Sequence, residues 1–494
     1  MITDYLNLFP IEQISVNKHP NRKKNNQYFT PEYIVEKAYS LIPSSKIKNI
    51  IDPAVGNGVF LKIASEKWSD AELFGIDIDE KVINEIKKFH LQNFYLFCSD
   101  SLCDKTWQIK EIKNIILNDG FDLVVGNPPF SSWFQRISNP QILSKYKLAY
   151  RNGKLMRSQA IEILFLELFI SLCKTNGFII IVLPDGILSN PQYQYIRKYI
   201  LEETVVNHII SLPRNVFEHT SAKTSILILQ RKRNNNLNYQ TVISHLENFD
   251  VINNSIKVHA TDLVKRMDHF YYYNLRNNSI KSLIEKGIEF KPLKEFVIYC
   301  KTGKTLYGKD RKFSDKGIKF LHATNVTDIG INYKLDEKFI DPTSKMYFPS
   351  AYARLEDILF VRVGVGCSGR VAIVDCKENE GIASDYLHIF KVKNINPYFL
   401  VVYLKTKFGK DSINLLKHGV GTISINKTDL LSIPIPIIQE QIQTDIEKKY
   451  KKVLEEYRNY LEIPDAYLNK KFCDLISYVE TMLLKIGEKE YVEV

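Results

Sequence analysis

The first half of the chain repeats one pattern, a short apolar run that ends in an acidic or turn residue and is followed by a helical stretch. The runs are 47–52 (IKNIID), 72–77 (ELFGID), 94–100 (FYLFCSD), 121–127 (FDLVVGN), 177–184 (GFIIIVLP), 207–213 (NHIISLP) and 224–230 (TSILILQ). Helical periodicity occupies 31–42, 58–67, 80–89, 159–174 and 193–203. Strands that are apolar almost end to end must be covered on both faces. The alternation therefore predicts an α/β domain on a doubly wound, mostly parallel sheet. Such sheets take ligands beyond the carboxyl ends of their strands, where the acidic and glycine residues gather here.

At 231–238 (RKRNNNLN) the periodicity gives way to a polar run, which predicts the end of the sheet. From about 291 the pattern changes to short strands with glycine-rich turns. The stretch 355–374 alternates around Gly364, Gly366 and Gly369, and 423–437 ends in prolines that preclude a central strand. After Pro436, Ile438, Ile442, Ile446, Tyr450, Val453, Tyr457 and Leu461 form one helical apolar stripe. The expected division is an N-terminal extension (1–24), a sheet domain (25–235), a bridging segment (236–290), an α+β domain (291–437) and a terminal helical segment (438–494).

A chain of 494 residues is long enough for two or three domains, and 45% hydrophobic with 25% charged residues is ordinary globular composition. The net charge of +11 points to a polyanionic partner, with nucleic acid first among the candidates. Seven cysteines without a C-x-x-C pair signal neither a zinc site nor a disulfide framework, and fit reduced cytosolic thiols. The start lacks a basic-then-apolar leader, and the longest apolar stretch is far short of the ~20 residues of a membrane span. A cytoplasmic protein is expected, with no metal.

The chemistry concentrates at three strand ends and one turn. Asp52-Pro53-Ala54-Val55-Gly56-Asn57-Gly58 lies at a strand-to-helix turn, where glycine lets backbone approach a ligand and the helix N-terminus favours an anion. Asp77 sits where a carboxylate grips a ribose diol, and Asp100 is positioned to accept from an adenine amino group. A helix cap or a solvated loop acid is the plainer explanation for either alone. Asn127-Pro128-Pro129-Phe130 follows the fourth run. Its prolines fix the backbone so that the Asn side chain and a proline carbonyl both accept from one amino group, while Phe130 offers a face to a planar base.

The set Asn26-Gln27-Tyr28-Phe29-Thr30-Pro31, then DPAVGNG, then NPPF, resembles the S-adenosylmethionine-dependent DNA adenine-N6 methyltransferases of the gamma motif order, type I modification subunits in particular. The stretches 183–188 (LPDGIL) and 212–229 are similar to later motifs of that family. The resemblance covers roughly 25–231 and implies a Rossmann-like methyltransferase domain. It implies that Tyr28, Thr30 and Pro31 flank the methionine end of the cofactor and that Asp52, Pro53, Gly56 and Gly58 cradle it. Asp77 would hold the ribose and Asp100 the adenine. Asn127, also at the cofactor's edge, would with Pro128 and Pro129 hold the target amino group, while Phe130 and Phe217 stack on the base. Val55 departs from the family, which often has a smaller residue or cysteine there, and is expected to change packing only. A target base cannot react inside a duplex, so base flipping is implied.

Between Ser131 and Ser158, Arg136, Lys145, Lys147, Arg151, Lys154 and Arg157 alternate with Trp133, Tyr146 and Tyr150, as in a loop ordered around DNA phosphates. Residues 291–461 resemble one target-recognition half of a type I specificity subunit, through DILFVRVGVGCSGRVAIV, GVGTISINKTDLLSIPIPI and QEQI. That resemblance implies a chain that reads its own site in double-stranded DNA, with Lys301, Lys304, Arg362, Arg370, Lys417 and Lys427 as candidate contacts. Helix 438–461 resembles the spacer helix of such subunits. It is expected either to pack on its own catalytic domain or to pair with another chain as a homodimer. Only about 24 residues precede the first motif, against ~50 for a minimal domain, so modification without cleavage is expected, any restriction coming from a separate partner. Three alternatives stay open: cytosine-N4 transfer, a protein glutamine methyltransferase, and a catalytically silent DNA-recognition subunit.

Overall fold

The computed structural model describes residues 30–43, 47–89, 92–131, 135–213, 216–217, 223–232, 236–247, 251–364, 366–418, 423–459 and 466–489, with side chains not described at 251–254 and 487–489. The chain divides into two compact units, Met1–Tyr273 and Asn274–Val494.

The first unit is built on a nine-stranded sheet. Its strands are β1 (Asn49–Asp52), β2 (Glu72–Asp77), β3 (Phe94–Cys98) and β4 (Phe121–Gly126), then, after a two-stranded hairpin of β5 (Tyr150–Arg151) and β6 (Lys154–Leu155), β7 (Cys173–Pro184), β8 (Thr204–Ser211), β9 (Thr224–Arg231), β10 (Gln240–Glu247) and β11 (Val251–His259). The order is β11-β10-β8-β9-β7-β4-β1-β2-β3. Strands β3, β2, β1, β4 and β7 run parallel, β9 is antiparallel between β7 and β8, and β11 is antiparallel to β10. The polar run at 231–238 therefore does not end the sheet, because β10 pairs parallel with β8 through Val242–His245. Arg231, the first residue of the run, still belongs to β9.

Helices α1 (Glu32–Ser40), α2 (Val59–Lys67), α3 (Glu80–Lys87), α4 (Lys110–Leu117), α5 (Pro140–Leu143), α6 (Ile161–Leu172), α7 (Asp185–Ser189), α8 (Gln194–Glu203) and α9 (His269–Arg276) accompany the strands. Two apolar clusters divide the sheet residues between them. Val124, Ile179 and Ile181 pack with α6 and α8, while Leu123, Val125 and Ile180 pack with α1, α2 and α3. Alternate residues of one strand entering different clusters is the two-sided burial that the continuous apolar runs require.

The second unit opens with α10 (Ile280–Glu285). It carries β12 (Phe290–Pro292), β13 (Val297–Thr302), β14 (Ile318–Leu321), β15 (Phe339–Ile340), β16 (Tyr352–Ala353), β17 (Ile358–Val361), β18 (Val371–Ile373), β19 (Gly381–Ala383), β20 (Leu387–Val392) and β21 (Pro434–Pro436). Two four-stranded sheets form, β13-β20-β17-β18 and β15-β14-β19-β16, and β21 pairs only with β12, a place where proline cannot break a ladder. Helices α11 (Pro397–Lys405), α12 (Lys407–Leu415), α13 (Lys427–Leu431), α14 (Glu440–Asn459) and α15 (Ala466–Lys489) follow. Among the described residues no helix is long and apolar enough to cross a membrane.

The stripe on α14 has its cover inside this unit. Ile446, Tyr450, Val453 and Tyr457 are buried in one cluster with Phe399 and Tyr403 of α11 and with Leu468, Phe472 and Leu475 of α15. Buried Lys405 helps seat it, donating to the carbonyls of Asp328 (2.6 Å) and Ile329 (2.8 Å) beneath the rings of Tyr450 and Phe472. The stripe is thus covered by helices of its own unit. Leu461 lies outside the described residues.

The sheet order places β1 beside β4, while the chain runs outward from β1 to β2 and β3 on one side and from β4 to β7 on the other. The crevice between them is a topological switch point. It closes tightly at Gly126, whose φ is +151° and whose missing Cβ would stand 2.5 Å from Asp52 Oδ1. Gly126→Ala is expected to cost about 1–3 kcal/mol by overpacking, read as a lowered denaturant midpoint with an unchanged slope.

Candidate active site

Asp52 ends β1 and is 1% exposed. Its Oδ1 accepts from the Ala54 N–H (3.0 Å), and its Oδ2 is buried with no hydrogen-bond partner among the described residues. Burial, with a smaller contribution from the Asp77 carboxylate, pushes its pKa up to about 8. A buried carboxylate oxygen without a partner is costly unless a cation or strong donor meets it. An α-ammonium group is a donor of that kind.

The loop after Asp52 is tied to its neighbours by short bonds. Val55 N–H donates to Ile76 O (2.9 Å) and Gly56 N–H to Asp77 Oδ2 (3.1 Å), and Ser101 Oγ donates to Pro53 O (2.6 Å). Gly58 takes φ +78° at the N-terminus of α2, and a side chain there would meet Ile86. Asp77 Oδ1 accepts from the Asp79 N–H (2.9 Å), and burial raises its pKa. Each of its oxygens keeps a second lone pair for a diol. Asp100, two residues past β3, accepts from the Leu102 N–H (2.9 Å). Asp52, Asp77 and Asp100 thus follow three adjacent strands along one edge. Val55 is buried at 3% and serves packing.

Asn127 follows β4 directly. Its Nδ2 donates to Thr30 Oγ1 (3.3 Å), which leaves the amide oxygen as the acceptor. Thr30 is buried, and Pro31 caps α1. Three segments far apart in sequence, at 30, 52 and 127, therefore meet at the switch point. Tyr28 lies outside the described residues. Phe130 and Phe217 are 3% and 4% exposed and belong to one apolar cluster. At that burial, the faces that were to receive a base are covered by their own surroundings.

The basic segment is more structured than a loop. It holds α5, a turn at Lys147–Ala149 and the β5–β6 hairpin, whose Asn152 and Gly153 take φ of 51° and 74°. Arg136 is bonded to Ser158, Lys145 pairs with Asp104 (2.6 Å) and Lys147 lies 3.7 Å from Glu203. Arg151, Lys154 and Arg157 stand exposed, with the Arg151 guanidinium 5.9 Å from the Tyr195 ring centroid. Tyr146, expected on the surface, is buried in the core at 8%, while Tyr150 is exposed. Trp133 lies outside the described residues.

In the second unit five of the six candidate cations gather at one end of the β13-β20-β17-β18 sheet. Thr302, ending β13, pairs with His388, Val361, ending β17, pairs with Leu387, and Ser424 bridges to both Val363 and His418. Lys304, Arg362, Lys417 and Lys427 lie within three residues of these contacts, and the Arg370 carbonyl accepts from the Val361 N–H (2.8 Å). Arg362 spends one Nη on Asp385 O (3.0 Å), and burial lowers the Lys417 pKa. Lys301 departs from the group. Its Nζ donates to Tyr352 O (2.9 Å) and burial lowers its pKa, so it serves as a tie between segments rather than a surface contact. Tyr307, missed in the sequence, is exposed and donates to Asp385 at this same end.

Comparison with known proteins gives a consistent picture. The family model for N-6 DNA methylases matches residues 12–289, and that for the type I restriction modification DNA specificity domain matches 285–463. The type I restriction enzyme MpnII methylase subunit of Mycoplasma pneumoniae is 30% identical over 227 residues, covering 43% of this chain and 41% of that protein. The type II methyltransferase M.AccI of Acinetobacter calcoaceticus is 21% identical over 95% of both chains. The solved structure of the type IIL restriction-modification enzyme MmeI in complex with DNA shares the fold, at 13% identity and a TM-score of 0.54 over 91% of this chain and 72% of that one. Among the described residues no group of three or more His, Cys, Asp or Glu side chains is placed to hold a metal.

Asp52 makes the unliganded site sensitive to pH. Its folded pKa of about 8 exceeds the ordinary 3.8, so the folded state holds an extra proton across that window. Stability therefore falls as pH rises through it, by at most about 1.4 kcal/mol per pH unit. Asp52→Asn is expected to flatten this fall in denaturation curves between pH 5 and pH 8. Binding of a cationic ligand to the wild type near pH 7 should release close to one proton, seen as buffer-dependent heats in calorimetry. Heats independent of buffer would rule the coupling out.

Proposed function

The chain belongs to the N-6 DNA methylase family, and from that premise we propose that it transfers a methyl group from S-adenosylmethionine to adenine N6 at a sequence-defined site in duplex DNA, and that its second unit reads the site. The observation that carries the reading is the Thr30–Asn127 hydrogen bond beside the orphaned Asp52 oxygen. It leaves the Asn127 amide oxygen as an acceptor, with Asp52 Oδ2 buried and without a hydrogen-bond partner among the described residues.

Asp52 Oδ2 fits the ammonium of the cofactor's methionine end, Asp77 its ribose diol and Asp100 its adenine. When bound, S-adenosylmethionine supplies an electrophilic methyl group on sulfur. The chain's own contribution is to prepare the nucleophile. An exocyclic amine is a poor one because its lone pair is delocalised into the ring. Asn127 Oδ1 and the Pro128 carbonyl, each accepting one N–H, favour the pyramidal form whose lone pair is free. Neither group is a base, so positioning and fixed dipoles do the catalytic work. Phe130 and Phe217 are both buried in one apolar cluster, so a base stacks on either only once its ring is uncovered, which suits extrusion of the base from the duplex.

The exposed Arg151, Lys154 and Arg157 supply phosphate contacts in the catalytic unit. Lys304, Arg362, Arg370, Lys417 and Lys427 supply them at the sheet end of the second. The reading includes action on nucleoid DNA in the cytoplasm and modification without cleavage, any restriction coming from a partner protein.

Asn127→Ala should retain cofactor affinity while methyl transfer to DNA falls by roughly 100-fold or more, measured with labelled cofactor. Long-read sequencing of DNA from expressing cells should show N6-methyladenine at one motif. Methylated cytosine, methylated protein, or no transfer would each select one of the alternative activities. Neutralising Arg151 and Lys154 together should flatten the salt dependence of DNA binding, and an unchanged slope would remove the hairpin from the interface.

A further inference from the structure

Helix α6 is apolar around its whole circumference, yet it carries two acidic residues, Glu162 and Glu167, each 7% exposed. A buried carboxylate survives only where donors replace its water. Both find backbone donors. Glu162 Oε2 accepts from the Ser131 N–H (2.8 Å) and its Oε1 from the Ser131 hydroxyl (2.9 Å). Glu167 Oε1 accepts from the Lys147 N–H and its Oε2 from the Leu148 N–H, both at 2.8 Å. Burial raises the pKa of each, and these bonds oppose the rise.

Ser131 is the residue directly after Phe130. The turn that begins at Asn127 is thus anchored at its start by the β4–β7 pairing of Gly126 with Ile181 and by Thr30, and at its end by Glu162. Residues 147–148 lead directly into the hairpin that carries Arg151 and Lys154. Displacing either segment would strip a buried carboxylate of two donors at once, so both clamps are stiff.

We propose that Glu162 and Glu167 are positioning residues with separate duties, Glu162 holding the Asn127–Phe130 turn in its reactive geometry and Glu167 holding the basic hairpin against DNA. Neither touches substrate. The proposal rests on the methyltransferase reading above and adds the residues that align its parts.

The test compares Glu162→Ala, Glu162→Gln and Glu167→Ala in the full chain. A misplacement near 1 Å at a reacting centre costs on the order of 100-fold. Glu162→Ala should lower kcat by roughly tenfold to 100-fold with the KM for DNA and the cofactor affinity little changed. Glu162→Gln should restore kcat, because its Oε1 still accepts from the Ser131 N–H and its Nε2 donates to the Ser131 hydroxyl oxygen. Glu167→Ala should instead raise the KM for DNA and flatten its salt dependence. Hydrogen exchange of the peptide ending at Ser131 should quicken in Glu162→Ala and not in Glu162→Gln.

The proposal falls if Glu162→Ala remains folded with wild-type kcat and exchange, or if both alanine variants shift kcat and KM alike. If the wild type transfers no methyl group to DNA, the functional reading fails. Unaltered exchange in Glu162→Ala would then still overturn the clamp, and quickened exchange would uphold it.

Discussion

A single buried contact organises the catalytic unit. Asp52 and Gly126 end two adjacent parallel strands, and the glycine's missing side chain is what allows the carboxylate to lie against that backbone. The strand order diverges at this pair, so no crossover connection covers the crevice above it. One carboxylate oxygen is buried with no hydrogen-bond partner among the described residues, an arrangement that favours its protonation. The ties from Gly56 to Asp77 and from Ser101 to Pro53 hold the surrounding loop to the next two strands. The site is therefore stiff before any ligand arrives.

The second unit solves a different problem. Its strands are short, and three strand ends together with His418 and Ser424 converge at one end of a sheet. Helices α11, α14 and α15 pack with residues of that sheet, such as Phe360, Val371 and Phe390, in the largest apolar cluster of the unit. A packed scaffold that carries polar loops is a general way of presenting a readable surface. The buried Lys405 marks how far this goes. It is stripped of solvent, its pKa is lowered to about 7, and it is met by two carbonyls and two rings.

Much of the architecture is legible in the amino-acid order because period and punctuation report it directly. The continuous apolar runs announce strands buried on both faces, and Asp52, Asp77, Asp100 and Asn127 mark the carboxyl ends of four of them. The prolines at 434 and 436 announce an edge. Polarity at 231–238 does not mark the end of the sheet, because β10 pairs with β8 beyond it and polar residues connect strands as readily as domains. The stripe on α14 was legible as a buried face, but a stripe carries no record of what buries it.

Local order, then, determined the elements, their burial and the chemical identity of the ligand-facing ends, since these depend on residues within a turn or two of each other. Only the tertiary structure decided which distant groups meet. It joined Thr30 to Asn127, set Glu162 under Ser131, closed Phe130 and Phe217 into one cluster, and separated Lys301 from the five cations it had been grouped with. Each depends on strand order and long-range register, and residues that touch across a fold leave no periodic trace along the chain.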